Sequence, residues 1–345
     1  MYYKEDVEKN TIMREEYVDS LTDFIHTEKK YCDLARKKYI SPEKLFADKQ
    51  KYRNDFINVL GFPLNKGKRE ISLIGKEYVT TDRNVKIFRV RFQIFNSVKF
   101  YGLYFEQVDL SSNNPFVVCL HGGEGTPELV SSIHFDSANY NHLARRLTDK
   151  GANVFVPQLL LWNKTTYGNE YDRLNIDGKL RQLGGSITAF ELSLIENCIT
   201  YFIDNNAARI GKIGVAGMSY GGMYALFMAS VDTRITSCFS CSWVEDSFNA
   251  SWADWSYKDA YKCFTSAEIC GLVAPRRLVV EMGNKDELFS SNKTRDVCEI
   301  VKKYYECANK IENFKLIIFD GNHEVDKNSE GLNFFYDALI NSRQS

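Results

Sequence analysis

Beyond residue 70 the chain is a succession of short apolar runs separated by turns rich in glycine, asparagine and serine, a spacing that predicts strands. Residues 71–79, 85–95 and 98–105 come first, and the Asn96-Ser97 break between the last two predicts an antiparallel hairpin. From Phe116 the runs (116–120, 153–156, 212–216, 235–241, 277–282 and 315–319) alternate with helical segments. That alternation predicts a mostly parallel central sheet with helices on both faces. The first 60 residues are charged and helical instead. Apolar positions recur at helical spacing from Met13 to Ile25 and at Tyr52, Phe56 and Leu60, and Gly61-Phe62-Pro63 ends the second helix. The expected organisation is an N-terminal helical arm, residues 1–70, packed on an α/β main domain, residues 71–345.

One turn carries chemistry. Gly217-Met218-Ser219-Tyr220-Gly221 stands between a strand-like run and the helical segment 222–229. A strand, a Gly-x-Ser-x-Gly turn and a helix form a nucleophile elbow, which exposes a serine hydroxyl above a parallel sheet. Ser219 is therefore the candidate nucleophile, against the bland reading of a glycine-rich turn with an incidental serine. A serine needs a base, and the base needs an orienting acid, which in this arrangement follow in the order acid, then histidine. Of the five histidines only His323 lies downstream, in a loop after the run 315–319. Asp286, in the loop after 277–282, is the favoured acid, although it could serve only to cap the helix beginning near Ser291. Glu287 is its weak neighbour, and Glu245, one strand earlier, is the better rival.

Two backbone donors must face the oxyanion of an acyl-transfer intermediate. The N–H of Tyr220 is the first. The second belongs in His121-Gly122-Gly123-Glu124-Gly125, where Gly123 is preferred and Gly122 and Glu124 stay open. His121 sits on the wrong strand for the base and is expected to be a buried brace of that loop.

These residues resemble the α/β-hydrolase superfamily, more narrowly its dienelactone hydrolase-like and acetyl xylan esterase-like branch. The matching pieces are Arg53…Leu60-Gly61-Phe62-Pro63, Leu120-His121-Gly122-Gly123, Gln182-Leu183-Gly184-Gly185-Ser186, the elbow, Val273-Ala274-Pro275-Arg276-Arg277, Gly283…Asp286 and Gly321-Asn322-His323. The resemblance spans about residues 50–340 and implies Ser219, Asp286 and His323 as nucleophile, acid and base. It also implies hydrolysis of a small-acyl ester, such as an acetylated carbohydrate. The departure lies in the oxyanion loop, where a bulkier third residue is common and Gly123 stands here. The stretch Ser219-Tyr220-Gly221-Gly222 is also similar to the elbow of prolyl-oligopeptidase-like peptidases. Those carry a large propeller, for which the segment before residue 116 is too short. A hydrolase fold used only for binding is the third possibility.

Composition narrows this further. A chain of 345 residues that is 44% hydrophobic suits one catalytic core, and a net charge of -1 offers no field to gather nucleic acid or an anionic membrane. Nine cysteines are an odd number for a disulfide framework. The polar start Met1-Tyr2-Tyr3-Lys4-Glu5-Asp6 lacks a leader pattern, so free thiols and a cytoplasmic location are expected. Cys238 and Cys241 lie on opposite faces of one strand-like run, no metal or cofactor is expected, and no run is long enough to span a membrane. Two insertions leave C-terminal strand ends, where parallel sheets bind ligands. The first, 158–183, brings Trp162, Tyr167 and Tyr171; the second, 243–269, brings Trp243, Trp252, Trp255, Tyr257 and Tyr261. Trp162, Trp243, Trp252 and Trp255 are candidate pocket residues, stacking on substrate or packing the insertions to the body. The oligomeric state stays open.

Overall fold

The computed structural model describes residues 3–66, 70–109, 114–134, 139–168, 170–246, 248 and 253–341. Its apolar runs join a single nine-stranded sheet. β1 (Ile71–Asp82), β2 (Val85–Ile94) and β3 (Val98–Gln107) are followed by β4 (Phe116–Leu120), β5 (Asn153–Pro157), β6 (Ile213–Met218), β7 (Ile235–Cys241), β8 (Arg277–Gly283) and β9 (Phe314–Phe319). The spatial order is β1-β2-β3-β5-β4-β6-β7-β8-β9. The first three strands form an antiparallel meander that joins β5 antiparallel, and all pairings from β5 to β9 are parallel. The expected hairpin is present: Ile94 pairs with Val98, and Phe95 and Asn96 turn the chain at φ 55° and 64°. Every residue of β4, β5 and β6 is buried. Strands covered on both faces have no polar side to alternate with, hence their continuous apolar sequence.

The helices are α1 (Val7–Tyr39), α2 (Pro42–Ala47), α3 (Lys49–Leu60), α4 (Pro127–Val130), α5 (Leu143–Asp149), α6 (Arg173–Gln182), α7 (Ile187–Asp204), α8 (Tyr220–Val231), α9 (Ser266–Val273), α10 (Ser291–Cys307) and α11 (Glu330–Ile340). α7, α8, α9 and α10 build the core on one sheet face, with α2 and α3 outside them, while α5 and α11 cover the other. In the N-terminal segment, α2 and α3 bury side chains against the body, and α1 joins it through its C-terminal half. α3 buries Tyr52, Arg53, Phe56 and Leu60, with the Phe56 ring edge-on to Phe227 at 5.2 Å. α1 buries no side chain.

Several weak sequence motifs have structural partners. Phe62 N–H donates to the Gly184 carbonyl (3.0 Å), and Ser186 Oγ donates to the Leu60 carbonyl (2.8 Å), so the pieces near residues 60 and 185 meet. Arg53 donates to the Ser230 carbonyl (3.0 Å) and Arg276 to the Ala229 and Leu272 carbonyls (2.6 and 3.3 Å). These guanidinium groups satisfy carbonyls that the ends of α8 and α9 leave without helical partners. All nine cysteines are free. Among the described residues no helix is long and apolar enough to cross a membrane, and no cluster of three or more His, Cys, Asp or Glu side chains could hold a metal ion.

Candidate active site

The C-terminal edge of the parallel strands gathers the candidate groups. Ser219 is the residue between β6 and α8, half-buried, at φ 59° and ψ −125°. That backbone region is costly for a residue with a Cβ, by about 1–3 kcal/mol, so neighbouring contacts must hold it. They do so from two sides. Ser219 N–H donates to the Cys241 carbonyl at the end of β7 (2.8 Å), and the Ser219 carbonyl accepts from Met223 N–H (3.0 Å). The flanking glycines are sterically required: a Cβ on Gly217 would lie 2.1 Å from the Gly221 carbonyl oxygen, and one on Gly221 would lie 2.3 Å from that of Leu120.

The loops after β8 and β9 are joined by backbone bonds. Asn284 N–H donates to the Phe319 carbonyl and Lys285 N–H to the Gly321 carbonyl, both at 2.9 Å. This brings Asp286 Oδ2 to 2.8 Å from His323 Nδ1. Asp286 Oδ1 accepts from the N–H groups of Leu288 (2.9 Å) and Phe289 (3.0 Å). The Asp286 side chain has no exposed surface, whereas that of His323 is 20% exposed. Burial pushes the Asp286 carboxyl up, but the His323 contact and the two backbone donors outweigh it and hold the group below its ordinary value. Glu245 lies elsewhere: its carboxylate accepts from Ser290 N–H (2.8 Å) at the start of α10. That is a favourable place for a negative charge, beside the free N–H groups of a helix terminus.

The oxyanion loop is braced on both sides of Gly123. Gly122 N–H donates to the Tyr140 hydroxyl (2.7 Å) and Glu124 N–H to the Leu161 carbonyl (3.2 Å). No described residue accepts from Gly123 N–H, and Tyr220, the first residue of α8, has no helical acceptor for its own. Trp162 also accounts for the glycine at 123, because its ring would lie 2.9 Å from a Cβ there. His121 is completely buried. Its Nδ1 contacts the Gly122 carbonyl (2.8 Å) and its Nε2 accepts from Leu159 N–H (3.0 Å), so the ring links this loop to the first insertion. Burial pushes its pKa down to about 4, which keeps it neutral and fixed as both donor and acceptor.

The aromatic candidates fall into two settings. Trp162 stands edge-on to Tyr220 (6.5 Å) and lines a cavity of about 410 Å³ with Glu124, Asn163, Lys164, Arg173, Tyr220 and Asp254. Trp243 and Trp255 line a second, mainly apolar cavity of about 470 Å³ with Phe56, Phe227, Tyr257 and Phe264. Trp255 connects the two regions. It meets Tyr220 at 4.8 Å and stacks at 6.3 Å on Phe289, which stacks at 5.7 Å on His323. Trp252 lies outside the described residues. Tyr171 is engaged by backbone carbonyls, donating to Leu161 (3.1 Å).

Sequence reasoning missed a buried ionic cluster beneath the nucleophile. Arg173 Nε donates to Asp254 (2.7 Å), its Nη1 to Glu191 (3.1 Å) and its Nη2 to the Tyr224 hydroxyl (3.0 Å). The Tyr220 hydroxyl donates to Asp254 and the Tyr224 hydroxyl to Glu191. Arg173 comes from the first insertion and Asp254 from the second, so the cluster clasps both to α8. The only signal in the sequence was an arginine within the first insertion, which names no partner.

Compared by sequence, the chain matches no family model and no curated protein. Its structure matches several esterases. A Bacteroides fragilis NCTC 9343 protein, provisionally described as an acetyl xylan esterase, is 16% identical over 88% of this chain and 84% of its own, with a TM-score of 0.64. A glucuronoyl esterase from Solibacter usitatus is 13% identical over 87% and 94%, with a TM-score of 0.62. A cold-adapted esterase from an Arctic intertidal metagenomic library is 17% identical over 79% and 100%, with a TM-score of 0.53. The fold is that of the α/β-hydrolases.

Proposed function

We propose that the chain is a serine esterase that cleaves a small-acyl ester, of the kind carried by acetylated carbohydrates, through an acyl-enzyme on Ser219. The observation that carries this reading is the 2.8 Å contact between Asp286 and His323, on the same strand edge as a serine held at an elbow. In this scheme Ser219 Oγ attacks the carbonyl carbon while His323 Nε2 takes its proton. The oxyanion lies against the N–H groups of Tyr220 and Gly123, which the loop geometry leaves available. Collapse breaks the bond to the alcohol oxygen, which leaves with the proton from His323. Water then attacks the acyl-enzyme by the same base, releasing the acid and restoring Ser219. No metal or cofactor is needed by this chemistry.

The cavity beside Tyr220 supports a carbohydrate alcohol. It is lined by the Trp162 ring together with Glu124, Asn163 and Lys164, an aromatic surface with polar groups around it. The three solved structures described above bear the names of esterases, two of those names being acetyl xylan esterase and glucuronoyl esterase. The free cysteines are consistent with a reducing, cytoplasmic setting, which belongs to the same proposal.

The test is a fluorophosphonate probe followed by a substrate panel of aryl acetates and butyrates, acetylated xylo-oligosaccharides, a methyl glucuronate and aminoacyl-arylamides. Labelling of Ser219 that disappears in Ser219→Ala, with acetyl esters cleaved fastest, is expected. Turnover of arylamides alone would make the chain a peptidase, and turnover of the glucuronate alone would replace the substrate class. Undiminished labelling of the folded alanine variant would overturn the nucleophile.

A further inference from the structure

α1 differs from every other long helix in where its apolar residues point. Met13, Tyr17, Phe24 and Tyr31 recur at spacings that place them on one face of the helix, flanked by Val18 and Leu21. All six are exposed, Tyr17 at 69%, Phe24 at 59% and Tyr31 at 62%. Among the described residues, every hydrogen bond, ion pair and ring contact that ties α1 to the body comes from residues 29–39. Examples are Arg36 to the Tyr261 carbonyl (2.8 Å) and Tyr261 to Asp33 (3.0 Å). At 1.5 Å per residue the helix is about 50 Å long. Ile25 lines the apolar cavity beside Trp243 and Phe264, and the described residues before it make no hydrogen bond, ion pair or ring contact with the body.

We infer that this face is a dimer interface, formed by two copies of α1 packed antiparallel about a two-fold axis near Leu21. Two observations select a second copy as the occupant. The first is area. Half-exposed side chains of this size present roughly 100 Å² each, so the six give about 600 Å² per copy. That sits at the upper end of the roughly 300–600 Å² that monomers leave in one patch and approaches the roughly 800 Å² per partner of a stable interface. The second is charge. Residues 5–28 hold eight carboxylates against Lys9 and Arg14, whereas residues 29–38 hold five basic side chains against Asp33. Antiparallel packing about this axis sets Glu5 and Asp6 of one helix against the Arg36–Lys38 stretch of the other and Glu28 against Arg14, and opposes the two helix dipoles. The acidic half would be repelled by an anionic membrane.

Sedimentation velocity on the full chain tests this directly. A dimer at micromolar concentration is expected, and the double variant Leu21→Glu/Phe24→Glu should be a monomer with unchanged helicity and aryl acetate turnover. Orientation is read from Asn10→Cys, which the antiparallel register places opposite Cys32 of the other copy. A disulfide between positions 10 and 32 is expected on oxidation. A disulfide between two copies of position 10 would overturn the arrangement, as would a wild-type monomer at tens of micromolar. Flotation of the wild type, but not the double variant, with phosphatidylcholine–phosphatidylserine vesicles would assign the face to lipid and overturn the dimer.

Discussion

Replacing Asp286 by asparagine is the sharpest test of the proposed site, because the structure dictates how the amide must sit. Asp286 Oδ1 accepts from two backbone N–H groups, those of Leu288 and Phe289. An amide nitrogen placed there would face two donors with no lone pair to offer, leaving buried groups unsatisfied at about 1–3 kcal/mol each. The amide oxygen therefore takes that position and the NH₂ turns toward His323 Nδ1. His323 must then accept at Nδ1 and carry its proton on Nε2, the nitrogen that should receive the proton of Ser219. The wrong tautomer is locked in by the same contacts that position the carboxylate. Loss of the tautomer and of the charge that stabilises the imidazolium costs on the order of 10⁴ in kcat in a comparable triad. We expect Asp286→Asn to lose about 10³–10⁴ in kcat on an aryl acetate, with little change in KM. Glu245→Gln is the control. Its amide oxygen can still accept from Ser290 N–H, so kcat should fall tenfold or less, with the main effect a modest loss of stability at the start of α10. Both variants should be checked for native circular dichroism. If Asp286→Asn keeps more than a tenth of wild-type kcat while Glu245→Gln collapses, Glu245 is the acid.

Three further expectations follow from neighbouring contacts. Arg173→Met leaves Asp254 and Glu191 buried without their cation, and should cost about 3–5 kcal/mol in chemical denaturation; a loss under 1 kcal/mol would show that the clasp is energetically idle. Burial, helped by Asp326, raises the Glu281 carboxyl to about 8, well above its ordinary value, so the folded state keeps a proton that the unfolded chain has lost. The stability linked to that proton is present below about pH 4.5 and is lost as pH rises toward 8; Glu281→Gln should flatten the stability profile across this window, and an unchanged slope would assign it to other groups. Trp255→Ala should join the apolar cavity to the Tyr220 region and raise the butyrate-to-acetate ratio of kcat/KM about tenfold, since two extra methylenes are worth about 1.6 kcal/mol. A lower Tm with an unchanged ratio would make Trp255 a packing residue only.

What the sequence disclosed divides along physical lines. β4 and β6 were legible because a strand covered on both faces must be apolar throughout, and β8 and the partly exposed edge strand β9 because their aliphatic runs end at or near a glycine. Chain order then nominated His323, the sole histidine after Ser219, without any knowledge of its neighbours. The partner of Glu245 was not legible, since a loop carboxylate finds its donor through the approach of α10, which only packing of the whole sheet decides. Nor was the ring of Trp162 over Gly123, although the glycine stood out as a departure. The clasp joins Arg173, Glu191, Tyr220, Tyr224 and Asp254 across three elements and two insertions, and no periodicity connects them. The exposed face of α1 looked in sequence like any face that packs on a body. An apolar stripe states that something must cover it, not what.

The strained turn at Ser219 explains why so many contacts converge on one sheet edge. A left-handed φ on a serine persists only if its surroundings fix it more firmly than the strain relaxes it. β7 grips Ser219 through the Cys241 carbonyl, and the same Cys241 contacts the Glu324 carbonyl through its sulfur (3.2 Å), next to His323. The His323 loop is held in turn by Val325 N–H donating to the Asn139 carbonyl (2.8 Å), and the adjacent Tyr140 fixes Gly122 of the oxyanion loop. The candidate nucleophile, base and oxyanion donor therefore share a chain of direct contacts that does not pass through either insertion. The insertions meet this frame at His121, Trp162, Trp255 and the Arg173 clasp. Such a division lets the reacting groups keep their geometry while the pocket walls carry the choice of substrate. It also separates two kinds of failure: substitutions in the frame should lower kcat for every ester alike, while substitutions in the walls should reorder substrates.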